Sequence, residues 1–183
     1  RRPEDNKSVQ VAKDHEYYED IFYSKKENGE WTQTHSMTGP LNTSYHNASI
    51  SISPDGNEIL LYSDLNGGDL FVTYKQADGT WTRPVEMEGV NTPYIENSAS
   101  LTADRNTLYF TSNRPGGVGG TDIYLCTKDS RGRWSNPQNL GNLVNTEHDE
   151  EAVFISANGK HLYFSSNGHI GMGDLDIYRS TYN

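Results

Sequence analysis

Residues 108–126 read LYFTSNRPGGVGGTDIYLC, and this stretch decides the fold. An aromatic, apolar run at residues 108–112 leads into a glycine-rich segment, and a second apolar run starts at Asp122. Aromatic and β-branched residues favour strands, and glycine suits the chain reversal between them. The stretch therefore predicts two antiparallel strands joined by a glycine-rich loop.

The same pattern occurs along the whole chain. The Asp that opens the second run recurs as Asp20, Asp69 and Asp176, so successive copies lie about 50 residues apart. A tryptophan turn follows the first three copies, and a run of the type Ser-Ile-Ser-Ile precedes the last three aromatic runs. Each unit thus reads as four short strands, the fourth starting at the tryptophan. Strand-only repeats of this length are typical of β-propeller blades, which are four-stranded antiparallel sheets.

The repeat divides one all-β domain, residues 1–183, into successive blades. We predict a part blade at 1–44, blades at 45–93 and 94–147, and a part blade at 148–183. Residues 1–3 resemble residues 113–115, so we expect the chain to begin in the middle of a blade and to end on a third strand. A propeller needs at least about four blades to close. We therefore expect a partial propeller or a fragment, which does not stay a lone, closed monomer.

Two turns within the repeat have a clear local cause. Asp55-Gly56 and Asn158-Gly159 each fall between a first and a second strand. Gly and Asn tolerate a positive φ, which tight hairpins require. We therefore predict a hairpin at each of these dipeptides.

The charge of the chain excludes two classes of partner. Lys and Arg number 15 against 25 Asp and Glu, which gives a formal net charge of −10. Nucleic acids and anionic lipid surfaces attract basic proteins, so we expect neither as a partner. No stretch approaches the ~18 apolar residues of a membrane span, so direct membrane insertion is not expected. The single cysteine, Cys126, lies in an apolar strand pattern and is expected to be buried.

The glycine-rich loops at residues 66–69, 113–122 and 167–176 form the candidate binding surface. Each loop ends in the repeated Asp. Oxygen-rich loops can hold Ca²⁺, but an Asp that accepts hydrogen bonds from loop amides would also order the turn. Recurrence in every unit favours the second interpretation, because a specific metal site is rarely copied so evenly. The candidate binding residues in these loops are Asp69, Arg114, Asp122, His169, Asp174 and Asp176.

An acidic run at residues 147–151 is the second candidate. Such a run is usually a solvated loop, but it can also form one side of a cation site or a partner contact. The corresponding residues 45–47 lack carboxylates, so we expect the acidic run to belong to one blade only. Its candidate binding residues are Glu147, His148, Asp149 and Glu150.

Motifs of catalysis and cofactor binding are absent from the sequence. The six histidines have no metal-ligand spacing, and neither a G-x-S-x-G elbow nor a phosphate-binding Gly-Lys-Ser/Thr loop occurs. We therefore predict no catalytic residue, no metal site and no cofactor, with a calcium loop as the open alternative.

Residues 108–117, 121–124 and 155–168 resemble the WD-like propeller repeats of TolB. They look most similar to the longer version found in envelope proteins of Bacteroidetes, which belong to the OmpA family or are associated with type IX secretion. The resemblance implies a periplasmic, outer-membrane-associated propeller with protein partners in the cell envelope. It carries no catalytic residues across, and peptidoglycan binding in that group belongs to a domain absent from this chain.

The function predicted from these features is that of a non-catalytic protein-interaction scaffold. Two alternatives stay open. A glycan-binding or glycan-cleaving propeller would show exposed Trp or Tyr around a cleft, with two facing carboxylates. The regulatory propeller of a prolyl-oligopeptidase-type peptidase would need a hydrolase domain elsewhere in the parent chain.

Overall fold

In the computed structural model, residues 19–37 and 39–182 are described, and they form an all-β fold with one 3-10 turn at Leu65–Gly67. The strands in chain order are β1 (Phe22–Tyr23), β2 (Lys26–Glu27), β3 (Glu30–Trp31), β4 (His35–Ser36), β5 (Asn47–Ile52), β6 (Glu58–Ser63), β7 (Asp69–Tyr74), β8 (Val85–Glu86), β9 (Ala99–Leu101), β10 (Thr107–Ser112), β11 (Asp122–Thr127), β12 (Gln138–Asn139), β13 (Glu150–Ile155), β14 (His161–Ser166) and β15 (Asp176–Thr181).

Three sheets repeat one plan. β5–β8 form a four-stranded antiparallel sheet (blade 1), β9–β12 form a second one (blade 2), and β13–β15 form a three-stranded sheet (blade 3). In each sheet, strands that are neighbours in sequence are also neighbours in space, which is the meander of a propeller blade. The short pairs β1–β4 and β2–β3 precede blade 1. The predicted all-β repeat of four-stranded antiparallel sheets is confirmed.

The strand register is the same in the three blades. In each blade, the Ser that ends the second strand pairs with the repeated Asp that starts the third: Ser63 with Asp69, Ser112 with Asp122, and Ser166 with Asp176. This register defines equivalent positions, which are used below to compare one blade with the next.

The turns between first and second strands explain their glycines. Gly56 donates its backbone N–H to the carbonyl of Ser53 at 2.8 Å, and its φ is 69°. Gly159 has a φ of 70°. In both predicted hairpins, the glycine is therefore the only residue of the dipeptide with a positive φ, and it is the fourth residue of the turn. In blade 2, Arg105 takes that position with a φ of 61°, and its guanidinium bonds to Asp55 of blade 1.

The fourth strand starts later than the sequence predicts. β8 and β12 each begin just after the proline that stands three residues beyond the tryptophan. Trp81 and Trp134 instead form isolated bridges with Lys75 and Lys128. Proline has no N–H to donate to a sheet, so it separates the bridge from the strand that follows.

The hydrophobic core lies between successive blades. Leu60 and Leu70 of blade 1 share a buried cluster with Leu108 and Cys126 of blade 2. A second cluster joins blades 2 and 3, and there the backbone N–H of Val153 donates across the interface to Ser98 Oγ at 3.0 Å. Burial of apolar surface at these interfaces stabilises the stack by about 25 cal/mol per Å². Cys126 is buried, as predicted.

The outer face of blade 3 differs from those of blades 1 and 2. Ile177 is 81% exposed, although the equivalent Leu70 and Ile123 are 0% exposed. Phe154 of blade 3 is also exposed. The equivalent faces of the first two blades are covered by the blade that follows, so the described sheets form a partial propeller.

Two expectations from the sequence concern the chain beyond these sheets. The resemblance of residues 1–3 to residues 113–115 lies outside the described residues. Within the described part of the chain, no helix is long and apolar enough to span a membrane.

Candidate functional site

One end of the stack carries the candidate residues, and we call it the loop face. It consists of the loops between second and third strands (residues 64–69, 113–122 and 167–176) and the segments that lead into the first strands (residues 43–47, 92–96 and 146–150). Antiparallel pairing brings these two kinds of loop to the same end of each blade. In blade 2 the backbone N–H of Ile95 donates to Asn113 Oδ1 at 2.8 Å, and in blade 3 that of Asp149 donates to Asn167 Oδ1 at 2.9 Å.

Loops of neighbouring blades bond directly to each other. The N–H of Gly120 donates to the His148 carbonyl at 2.9 Å, and the N–H of Thr121 donates to Asp149 Oδ1 at 2.9 Å. A Cβ at Gly119 would fall against the carbonyl oxygens of Thr146 and His148, well inside van der Waals contact. The structure therefore brings the glycine-rich loop of blade 2 and the acidic run of blade 3 together in one surface.

The repeated Asp residues order their own loops. Asp122 accepts hydrogen bonds from the N–H groups of Val118 and Gly119, and Asp176 accepts them from Met172 and Gly173. In the shorter loop of blade 1, Asp69 accepts one from the side chain of Asn66 at 3.2 Å. In blades 2 and 3, loop amides therefore engage these carboxylates and order the turn, as one of the two interpretations predicts.

Burial separates two of these carboxylates from solvent. Asp69 is 4% exposed and Asp122 is 1% exposed. Burial is the main reason why the pKa of Asp69 lies above its usual value, and the Asn66 hydrogen bond acts against that shift. Among the described residues, no group of three or more His, Cys, Asp and Glu is placed to hold a metal ion.

Glu150 is not a solvated loop residue, contrary to the expectation for the acidic run. It is 0% exposed, and its carboxylate accepts hydrogen bonds from Thr146 N, Thr146 Oγ1 and Ser166 Oγ at 2.9, 2.7 and 2.7 Å. Glu96 makes the same three bonds in blade 2, to Thr92 and Ser112. The buried carboxylate is therefore not a feature of one blade. The sequence comparison missed Glu96 because it matched the acidic run only to residues 45–47.

Arg114 and His169 are also partly buried. The Arg114 side chain is 13% exposed and forms an ion pair of 3.0 Å with Glu96. The Nε2 of His169 lies 2.8 Å from the carbonyl of Val144. These two side chains support the loop face from beneath, whereas Glu147, His148 and Asp174 are exposed on it.

Two exposed tyrosines of the loop face are absent from the candidate binding residues predicted from the sequence. Tyr45 and Tyr94 are 41% and 44% exposed. Each donates its backbone N–H to Oγ1 of the threonine two residues earlier, and His148 does the same. Three blades thus present Tyr45, Tyr94 and His148 at one equivalent position. The signal that could have found them is the repeated Asn-Thr pair that stands just before this position.

Comparison with known proteins addresses the fold. No protein-family model and no curated protein matches the chain. Among solved structures, TolB from Acinetobacter baumannii matches with a TM-score of 0.53 and 20% identity, over 82% of this chain and 32% of the TolB chain. The chain thus spans about a third of the length of that TolB chain.

Two enzymes match less well. A leech intramolecular trans-sialidase has a TM-score of 0.49 and 18% identity, over 88% of this chain and 26% of its own. The periplasmic gluconolactonase of Pseudomonas aeruginosa has a TM-score of 0.46 and 14% identity, over 94% of this chain and 56% of its own. At these identities the likeness concerns the fold alone. The chain therefore has a TolB-like β-propeller fold.

Proposed function

We propose that this chain is part of a non-catalytic, periplasmic protein-interaction scaffold and that it binds its partner through the loop face. The observation that carries the proposal is the continuity of this face, because the loops of blade 2 bond directly to those of blade 3. Continuity matters because a stable protein interface covers about 800 Å² on each partner. A surface that is already rigid loses less conformational entropy when a partner binds.

The exposed side chains of the loop face suit protein recognition. Tyr45 and Tyr94 offer aromatic contact area at low entropic cost, since each has two side-chain torsions. Glu147, His148 and Asp174 place polar and acidic groups beside them. Aromatic anchors surrounded by polar groups are typical of protein interfaces.

The buried titratable groups support binding in preference to catalysis. The carboxylates of Glu96 and Glu150 are 0% exposed and already accept three hydrogen bonds or more, which leaves neither placed to protonate a bound sugar. Burial is the main cause that raises the pKa of the Cys126 thiol to about 12, so this cysteine is no nucleophile near neutral pH.

The proposed partner is a protein of the cell envelope. Resemblance of the repeats to the OmpA-family and type IX secretion-associated group supports the periplasm, beside the outer membrane, as the compartment. A net charge of −10 favours a partner with a basic surface. Any contact with peptidoglycan would be made by another domain, and no cofactor is part of the proposal.

Site-specific photo-cross-linking in cells tests this proposal. A cross-linking amino acid replaces Tyr94 or His148 of the full-length protein, and matched controls replace Asp78 and Ser130 in exposed turns at the opposite end of the blades. We expect a discrete protein adduct from the loop-face positions and none from the control positions. Adducts from the controls alone, or from neither pair, would overturn the assignment.

The enzymatic alternatives predict a different result. The full-length protein is incubated with glycan and peptide substrates, before and after substitution of loop-face residues. Turnover that these substitutions abolish would replace the scaffold with a glycan-cleaving or peptidase-linked propeller.

A further inference from the structure

A cavity of about 280 Å³ lies in blade 1 beneath the loop face. Its walls include the apolar side chains of Leu61, Leu65 and Phe71 and the polar side chains of Asn47 and Ser63. The same location in blades 2 and 3 is filled by a side chain of the blade itself.

The strand register identifies the residue that fills the location in blade 2. Ser63 and Ser112 are equivalent, because each pairs with the repeated Asp of its blade. Two residues further on, the N–H of Leu65 donates to Ser63 Oγ at 3.4 Å, and the N–H of Arg114 donates to Ser112 Oγ at 3.2 Å. Leu65 therefore occupies the position that Arg114 holds in blade 2.

Arg114 fills its location with a planar cation. Its guanidinium carbon lies 4.9 Å from the ring centroid of Phe110 and 5.1 Å from that of Tyr124. Its Nη2 donates to the carbonyl of Val90 at 2.7 Å and to Glu96 Oε1 at 3.0 Å. Two aromatic walls, one carbonyl and one carboxylate thus surround the guanidinium.

Blade 3 fills the same location from a different chain position. The residue equivalent to Arg114 is Gly168, whose N–H donates to Ser166 Oγ, and the filling group is the imidazole of the next residue, His169. Its Nε2 lies 2.8 Å from the carbonyl of Val144, and its ring lies 5.0 Å from that of Tyr178. Two unlike side chains, each a planar nitrogen donor, therefore converge on one location.

Blade 1 retains part of these surroundings and has no such donor, since Leu61 stands at the position of Phe110 and Asn47 at that of Glu96. Phe71 is the counterpart of Tyr124, because each stands two residues after the repeated Asp of its blade. Asn47 and Ser63 supply side-chain oxygens at the cavity wall. The four-carbon side chain of Leu65 carries no donor and leaves space.

We propose that this cavity binds the guanidinium group of an arginine side chain that a protein partner presents to the loop face. The inference rests on the proposed function and names the chemistry that the partner offers at blade 1. The guanidinium lies against Phe71 and donates to the side-chain oxygens of Asn47 and Ser63. A planar, forked donor fits these acceptors better than the compact ammonium group of lysine does.

Charge around the cavity favours a cation. Tyr62 lines the cavity, and burial together with the carboxylates of Asp64, Asp69 and Glu19 raises the pKa of its hydroxyl. The same negative field attracts a guanidinium. The exposed side chain of Arg83 also lines the cavity. Its positive charge repels a second cation, so we expect Arg83→Ala to tighten binding of the guanidinium.

Titration of the full-length protein with N-acetyl-arginine methylamide tests the inference. The readout is the NMR methyl resonances of Leu61 and Leu65, and N-acetyl-lysine methylamide is the matched probe. We expect saturable shifts at these methyl groups, with the lysine probe weaker by about tenfold or more. The absence of saturable shifts, or an equal response to the two probes, would overturn the inference.

Two variants connect the binding to the cavity, each shown to be folded by circular dichroism before titration. Leu65→Arg supplies a guanidinium from within, as Arg114 does in blade 2, and should abolish binding of the probe. Glu96→Asn with Arg114→Leu gives blade 2 the residues of blade 1 at these two positions and should add a second site. Undiminished binding in Leu65→Arg, or one site in the double variant, would contradict the assignment.

The cross-linking experiment keeps this inference separable from the proposed function. Loss of the Tyr94 adduct in Leu65→Arg supports the arginine cavity. An adduct that persists in Leu65→Arg overturns the cavity as the contact and leaves the scaffold intact. If the probe binds but no loop-face adduct forms in cells, the scaffold proposal fails instead.

Discussion

Replacement of Arg114 by alanine probes the buried ion pair beneath the loop face. The side chains of Arg114 and Glu96 are 13% and 0% exposed, and their closest N···O distance is 3.0 Å. Removing one partner of a buried pair costs about 3–5 kcal/mol, because the other charge stays buried without compensation. Glu96 keeps three hydrogen bonds, from Thr92 and Ser112. We therefore expect the free energy of unfolding to fall by about 3 kcal/mol, the lower end of this range.

Urea unfolding near pH 7, followed by tryptophan fluorescence, measures this loss. Arg133→Ala is the matched control, since its ion pair with Asp129 is 2.8 Å long but its two side chains are 69% and 40% exposed. We expect the free energy of unfolding of Arg133→Ala to lie within about 0.5 kcal/mol of that of the wild type. In a Glu96→Gln background, Arg114→Ala should cost less, because no charge is left unpaired. A loss below about 1 kcal/mol for Arg114→Ala alone would refute the reasoning.

The remaining predictions concern one close contact and two buried groups. Gly119→Ala places a methyl group against the backbone of Thr146 and should cost about 1–3 kcal/mol in urea unfolding, whereas Gly173→Ala, the equivalent change in blade 3, meets open space. Equal losses for the two variants would argue against the contact. Burial raises the pKa of Asp69, so the folded chain binds that proton more tightly than the unfolded chain, and ionisation of Asp69 costs stability as the pH rises above about 4. The free energy of unfolding of Asp69→Asn, relative to that of the wild type, should therefore increase between about pH 4 and about pH 7. A difference between the two proteins that does not change with pH would contradict this. Because burial raises the pKa of Cys126 to about 12, a thiol reagent should label the cysteine in urea and not in the folded chain, and equal labelling rates would contradict that burial.

The loop carboxylates show how far local sequence reaches. The hydrogen bonds of Asp122 and Asp176 run to amides three or four residues earlier, so the sequence alone predicted their role. Contacts of this kind lie within one loop and depend on its length and its glycines. The delayed start of the fourth strand was missed, although its cause, the proline after the tryptophan, is also local.

The roles of Glu150 and Arg114 were beyond local reasoning. Ser166 Oγ, which donates to Glu150, is 16 residues away in sequence, and the partner of Arg114 is 18 residues away. An acidic run looks the same in sequence whether a given carboxylate points to water or into the fold. The register of strands and the packing of blades decide between these outcomes, and both depend on distant residues.

The sequence by itself determined the all-β repeat and the ordered glycine-rich loops, because strand alternation, turn glycines and loop hydrogen bonds act over a few residues. Only the tertiary structure decided which candidate residues face solvent. It placed Glu147 and His148 in solvent and buried Glu150. It also left a cavity in blade 1 at the location that the Arg114 side chain fills in blade 2. The physical reason is that burial and ion pairing are set where separate strands and blades meet, and no short stretch of the chain contains both sides of such a contact.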